Sequence, residues 1–378
     1  MQRNAVIALV GTLLVTAALL LAPKRGSADV VVPASDAEVL ARVTPRRERA
    51  PVDAEAAATQ AQRLIEASRR EGGDVRLLGQ AQAVLSTWWK DEAPPARVRL
   101  LRATIKQSLH DFEGALVDLD ALVADPTDVQ AQLTRATVLT VLARYDEADA
   151  ACSALKGQVD PVVFVTCRAP VVAIRGKASD AVRALTAVLE VTPKDSPLRP
   201  WALSVLGETQ WFSGDASAAA ETLKQVLTLD AGDRYSRLLL AEVLTATGRA
   251  SEVPALFTGR ALTDAELLTF VESGQAPKAA AADLEGRIEA SRRRGDGVHR
   301  REEARFALHV EKDAVTALDL AVKNFSVQRE PADARVLLEA ALAARDIKAA
   351  QPALDWLTRT GFSDPRFLSL RTSLEALR

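Results

Sequence analysis

Apolar residues recur through the middle of the chain at the spacing of α-helices, in a pattern that repeats every 33 residues. An alanine and a large apolar residue four positions later share one helical face, as do Ala115 with Leu119 and Ala181 with Leu185. A small residue also stands at the centre of each predicted preceding helix, and these residues are Ala103, Ala136, Ala169, Gly207 and Ala241. The pattern predicts units of two antiparallel helices that pack closely and are joined by a short turn.

The repeat is most evident in columns of similar residues that stand 33 positions apart. One column holds Arg102, Arg135 and Arg168, and another holds Phe112 and Tyr145. Three further columns with the same step consist of Ala115, Ala148 and Ala181, of Leu119, Cys152 and Leu185, and of Leu122, Leu155 and Val188. Several columns in one register indicate a tandem array of helical hairpins.

One unit carries a set of residues that resembles the tetratricopeptide repeat (TPR) family. Its large, small and apolar positions are Leu203, Leu206, Gly207, Ala219 and Leu223. This unit departs from the family pattern at Gln210, where an aromatic residue is usual. The resemblance implies an all-α fold, a right-handed superhelical solenoid of antiparallel helix hairpins with about eight units.

The resemblance covers residues 54–378 and is strongest over 95–230. The stretch 259–298 fits least well, and we expect one irregular helix pair there. TPR-like folds usually bind partners in a concave groove lined by the first helices of the units, and they have no chemistry of their own. The resemblance therefore implies a protein or peptide partner.

The beginning of the chain has the character of a targeting segment. Residues 5–22 are uncharged and predominantly apolar, and Arg3 precedes them. The small residues at 26–28 suit signal peptidase, whereas the positive charges of Lys24 and Arg25 oppose export of the rest of the chain. Two alternatives stay open, which are a cleaved signal peptide and an uncleaved membrane anchor.

These features divide the chain into three parts. We predict a signal peptide or N-terminal anchor over 1–28 and a flexible linker, rich in proline and arginine, over 29–53. The helical repeat domain is predicted to span 54–378. We expect the protein to lie outside the cytoplasm, in a bacterial periplasm or envelope, either secreted or tethered through residues 5–22.

Charge and composition narrow the choice of partners. The chain has 48 basic and 50 acidic residues, which gives a formal net charge of −2. No overall positive field draws it to a phosphate backbone, so we expect no nucleic-acid partner. Only 4% of the residues are aromatic, which favours a helical array over a β-sandwich or barrel.

The chain contains two cysteines, Cys152 and Cys167. The repeat register places them on adjacent antiparallel helices, and an oxidising compartment would favour a disulfide between them. The alternative is a pair of buried thiols that fill the repeat core. Two cysteines alone do not complete a tetrahedral metal site, so no metal is expected.

The arginine column, Arg102, Arg135 and Arg168, stands where the family has apolar residues. Stacked units would align three guanidinium groups, which suit carboxylates or phosphates and make these residues candidates for partner binding. The alternative is internal pairing with acidic residues on nearby helices. The candidates for that role are Asp118, Asp120, Glu147 and Asp149.

The sequence contains no recognisable catalytic motif. Its three histidines do not form the H-E-x-x-H zinc pattern, and neither a phosphate-binding P-loop nor a G-x-S-x-G nucleophile elbow is present. We therefore expect no enzymatic activity and no cofactor. The leading hypothesis is a scaffold or adaptor of the cell envelope that binds a protein or peptide in its groove. The alternative is an accessory subunit of an envelope polymer or transport system that binds an anionic ligand through the arginine column.

Overall fold

A computed structural model describes residues 53–125, 127–294 and 299–377, and the regular secondary structure of this part is entirely helical. The predicted targeting segment lies outside the described residues, as does the linker apart from Asp53. Within the described residues no helix is both long and apolar enough to cross a membrane. In chain order the helices are α1 (Ala54–Arg70), α2 (Val75–Val84), α3 (Ala96–Ser108), α4 (Phe112–Leu122), α5 (Val129–Val141), α6 (Tyr145–Ala154), α7 (Pro161–Val172), α8 (Ala178–Val191), α9 (Arg199–Phe212), α10 (Ala216–Leu229), α11 (Arg234–Ala246), α12 (Val253–Phe257), α13 (Asp264–Glu272), α14 (Ala279–Arg294), α15 (Arg300–Phe306), α16 (Ala314–Val327), α17 (Pro331–Ala344), α18 (Ile347–Thr360) and α19 (Pro365–Glu375).

Consecutive helices pack as hairpins, from α1 with α2 to α17 with α18, and α19 comes last as a single helix. This arrangement confirms the predicted all-α array of antiparallel hairpins. The stretch 259–298, which fits the repeat least well, holds one helix pair, α13 and α14. Just before it, the five-residue helix α12 stands in place of a full second helix.

Local chemistry sets where the second helix of many hairpins begins. A residue with positive φ ends the turn in several units, as His110 and Gly214 do, and an aspartate then caps the next helix. The carboxylates of Asp111 and Asp215 accept hydrogen bonds from backbone N–H groups in the first turn of α4 and α10. Such caps satisfy donors that the helix itself leaves unpaired, typically worth about 1 kcal/mol each.

Small residues let the two helices of a unit approach closely. A side-chain carbon placed on Gly207 of α9 would lie 2.8 Å from the side chain of Leu223 on α10. Ala115, Ala148 and Ala219 occupy the matching position of other second helices and are fully buried. The small residues in the sequence pattern therefore mark the contact line between paired helices.

The C-terminal hairpins pack back onto the middle of the array. The backbone N–H of Arg329 donates to the carbonyl of Val141 at 2.8 Å. The indole Nε1–H of Trp356 donates to the hydroxyl of Tyr145, also at 2.8 Å. One hydrophobic cluster consequently extends from helix α7 to helix α19. The array therefore closes on itself, so that first helices from separate units face a common interior.

Candidate functional site

The arginine column forms ion pairs within the protein. The guanidinium group of Arg102 is buried and donates to both carboxylate oxygens of Asp118 on α4. Its remaining nitrogen, Nη1, donates to the backbone carbonyls of Trp88, Trp89 and Asp91 at 2.7–3.0 Å. Each nitrogen of Arg102 is thus engaged by an acceptor of the chain itself.

The other two members of the column connect successive hairpins. Nε of Arg135 on α5 donates to Asp120 on α4 at 2.6 Å. Nε of Arg168 on α7 donates to Asp149 on α6, also at 2.6 Å. In each case the carboxylate comes from the second helix of the preceding unit. These are the contacts of the internal-pairing alternative, and they fix the position of one hairpin on the next.

A disulfide joins Cys152 of α6 to Cys167 of α7. Cys152 is fully buried beside Ala136 and Ala151, so the bond lies in the core between two units. Like Arg168, it links a second helix to the first helix of the following unit. Among the described residues no group of three or more His, Cys, Asp and Glu side chains is arranged to hold a metal ion.

The first helices of the later units surround a space that we call the interior cavity. Helices α9, α11, α13, α15, α17 and α19 all contribute to its walls. Its two adjoining parts, the arginine part and the acidic part, share Glu208, Phe212, Tyr235, Glu330 and Pro331. Because these residues come from separate units, the cavity exists only when the array is closed.

The arginine part has a volume of about 200 Å³, and opposite charges line it. Its basic residues are Arg301, Arg305, Arg335 and Arg366, and its acidic residues are Glu208, Glu242, Glu302 and Glu330. Arg305 pairs with Glu242 at 3.1 Å, and Arg301 pairs with Glu330 at 3.0 Å. Burial alone would raise the pKa of Glu242, but the charges of neighbouring arginines lower it overall. The carboxylate of Glu242 is therefore held in its charged form.

One arginine of this part lies on an aromatic ring. The Cζ atom of Arg366 lies 3.8 Å from the centroid of the Trp211 ring, within the range of a cation–π contact. Phe212 and Phe367 complete an apolar wall beside it. The arginine part therefore combines paired charges with aromatic surface.

The acidic part is larger, about 620 Å³, and has a different chemical character. Its carboxylates are Glu208, Asp230, Asp233 and Glu330. None of the described residues that line it is basic. Its apolar surface includes Trp201 and Tyr235, which remain 37% and 53% exposed.

Glu208 stands between the two parts. Its carboxylate accepts a hydrogen bond from the hydroxyl of Tyr235. Burial raises its pKa to about 7, the Tyr235 hydrogen bond opposes that rise, and the negative charge of Glu330 adds to it. Near neutral pH this carboxyl group is therefore only partly ionised, and a nearby cation would favour its charged form.

The arginine part also contains a polar group that lacks a partner. Thr269 of α13 is only 3% exposed and lines the wall of the cavity. Its hydroxyl makes no hydrogen bond with any described residue. An unsatisfied buried hydroxyl costs about 1–3 kcal/mol, which a ligand that bonded to it would recover.

Sequence reasoning did not identify the interior cavity. The predicted partner-binding residues, Arg102, Arg135 and Arg168, are not among its lining residues. A partial signal was present, since Glu208 stands two positions before Gln210, a polar residue at a position where the family has an aromatic residue.

No protein-family profile matches the chain, and no curated protein matches it. Solved structures of helical-repeat proteins do match. A tetratricopeptide repeat protein from Parabacteroides merdae is 14% identical, with 75% of this chain and 99% of that chain covered and a TM-score of 0.39. The Cut9–Hcn1 hetero-tetramer of the APC/C is 15% identical, with coverage of 85% and 83% and a TM-score of 0.32. The TPR domain of P58(IPK) is 13% identical, with coverage of 85% and 96% and a TM-score of 0.21. Independently of these matches, the paired helices show directly that the fold is an all-α array of antiparallel hairpins.

Proposed function

We propose that this protein is a non-enzymatic scaffold or adaptor that binds a protein or peptide partner in the interior cavity. The observation that carries the proposal is the convergence of five first helices and the last helix, α19, on one cavity with exposed aromatic side chains. Ligand sites are typically concave and largely apolar, with a few polar groups that fix orientation. In this cavity Trp201 and Tyr235 provide apolar surface, and the carboxylates are the polar groups that would fix the orientation of a bound partner.

Photo-crosslinking in the living cell tests this role. A photoreactive p-benzoylphenylalanine replaces Trp201 in the cavity or, as the control, Val117 on the outer helix α4, which is 71% exposed. Irradiation is expected to yield a discrete protein adduct from position 201 and none of the same mass from position 117. Identical adducts at both positions, or no adduct at position 201, would contradict partner binding in the cavity.

We also propose that the protein works outside the cytoplasm, in a bacterial periplasm or envelope. The apolar run at 5–22 and the disulfide between Cys152 and Cys167 support this location, because disulfides persist in oxidising compartments. Alkaline phosphatase, which is active only after export, is fused behind residue 378 for the test. We expect an active fusion that becomes inactive when residues 5–22 are deleted. An inactive full-length fusion would count against export.

A further inference from the structure

The acidic part of the interior cavity holds carboxylates that the fold leaves without a cationic partner. Within the described residues Glu208, Asp230 and Asp233 form no ion pair, whereas Glu330 is paired with Arg301 from the arginine part. Asp230 accepts a hydrogen bond from the backbone N–H of Gly232, and Asp233 accepts one from the backbone N–H of Ser236 in the first turn of α11. The lining thus concentrates negative charge in a chain whose net charge is close to zero.

An organic cation suits these carboxylates better than a metal ion does. No group of described carboxylates is arranged to hold a single metal ion. Asp230 and Asp233 lie in the turn between α10 and α11, and Glu208 lies near the end of α9. A lysine or arginine side chain carries its charged head group on a flexible stem, which lets that group reach a carboxylate of the cavity wall.

Aromatic side chains line the same space. Tyr235 and Trp201 are both exposed, although aromatic residues are scarce in this chain. Ring faces attract ammonium and guanidinium groups, and they also cover the apolar stem that carries such a group. Arg366 on Trp211 shows that the neighbouring part of the cavity already accommodates this type of contact.

The unpartnered hydroxyl of Thr269 indicates that the ligand reaches beyond the acidic part. Thr269 is more than nine-tenths buried and is one of the residues that line the adjoining arginine part. A peptide backbone offers both N–H donors and carbonyl acceptors, and either one satisfies a threonine hydroxyl. A ligand that continues past Glu208 can therefore bond to Thr269.

We propose that the interior cavity binds a lysine- or arginine-bearing peptide segment of the partner, with the cationic head group in the acidic part and the peptide backbone toward Thr269. This proposal rests on the proposed function, and it adds the chemical class of the partner. The cavity charge is opposite to that of the ligand, as electrostatic complementarity requires.

Fluorescence anisotropy with the full-length chain measures this binding. The probe is a fluorescein-labelled, amidated peptide of alternating glycine and lysine, compared with the same peptide in which each lysine is acetylated. The test variant is Asp230→Asn with Asp233→Asn, since asparagine keeps an oxygen that can cap α11. The matched control is Glu190→Gln with Asp195→Asn, which removes two exposed charges from outside the cavity.

We expect the test variant to bind the lysine peptide about tenfold more weakly, because two of the carboxylate charges that line the acidic part are removed. The control variant is expected to bind as the natural chain does, and the acetylated peptide to bind at least about tenfold more weakly. Equal weakening in both double variants would overturn the proposal, as would equal affinity for the acetylated peptide. Tighter binding of spermidine than of the lysine peptide would overturn the assignment to a peptide.

Two readouts separate this proposal from the proposed function. If the test variant does not fold, Trp201→Leu replaces it, and the same loss of lysine-peptide binding is expected. As the second readout, the crosslinking experiment is repeated in the Asp230→Asn, Asp233→Asn variant, with the photoreactive group at position 201. A partner adduct at undiminished yield would leave the scaffold function standing and overturn the cationic-peptide assignment. Loss of the adduct in this variant alone is the expected result.

Discussion

The hydrogen bond between Tyr145 and Trp356 connects the middle of the array to its C-terminal hairpins, and its removal tests whether the closed arrangement stabilises the fold. Trp356 is 1% exposed, and its Nε1–H donates to the tyrosine hydroxyl at 2.8 Å. Tyr145→Phe leaves that N–H buried without its acceptor, a change that costs about 1–3 kcal/mol. Trp356→Phe loses the same bond together with part of a buried ring.

The two substitutions form a double-mutant cycle. Because both single variants remove the same hydrogen bond, we expect the double variant to be destabilised by less than the sum of the two. We expect the difference to be about 1 kcal/mol, the net value of a typical hydrogen bond within a protein. Equilibrium urea denaturation, followed by far-ultraviolet circular dichroism, gives the four free energies of unfolding.

A matched cycle shows whether the effect belongs to the closure. Phe112→Leu with Trp356→Phe pairs the same tryptophan with a residue on α4 that stands in the column of Tyr145. Because no ring contact joins Phe112 to Trp356 in the described part of the chain, additive free energies are expected there. A coupling within about 0.3 kcal/mol of zero for Tyr145 and Trp356 would refute a closure that rests on their hydrogen bond.

Three further predictions concern the units themselves. Replacing Cys152 and Cys167 by alanine is expected to lower the free energy of unfolding by about 3 kcal/mol, as chain entropy predicts for a loop of this length, and an unchanged urea midpoint would contradict it. Arg102→Gln leaves the buried carboxylate of Asp118 with Lys106 as its only ion-pair partner, and it should lower the free energy of unfolding by about 3 kcal/mol. A decrease below about 1 kcal/mol would contradict a buried ion pair. Burial raises the pKa of Glu208 to about 7, so the folded chain holds this proton more tightly than the unfolded chain does. The resulting stability is fully present below about pH 4.5 and is lost as the pH rises to about 7, so Glu208→Gln should flatten this fall in thermal melts, and an unchanged pH profile would refute the assignment.

The hairpins could be predicted from the sequence because each depends on residues close together in the chain. The small residue Gly207 and the large residue Leu223 meet across one hairpin, as their places in the pattern indicate. The register also identified the acids that pair with the arginine column, among them Asp120 and Asp149. Neighbouring units are related by a nearly constant step, so a residue on one unit has a predictable partner on the next.

The closure and the cavity depend on a different quantity. Whether Trp356 reaches Tyr145 depends on the rotation between neighbouring units, summed over several hairpins. The sequence of one unit does not determine this sum. Irregular elements such as the short helix α12 interrupt the regular series of hairpins, so the rotation cannot be extrapolated across them. Glu208, Tyr235 and Glu330 are each unremarkable in their own units, and they acquire a common environment only after closure. The cavity is therefore a property of the whole array, so substitutions at the Tyr145–Trp356 contact should weaken binding in the cavity without touching a residue that lines it.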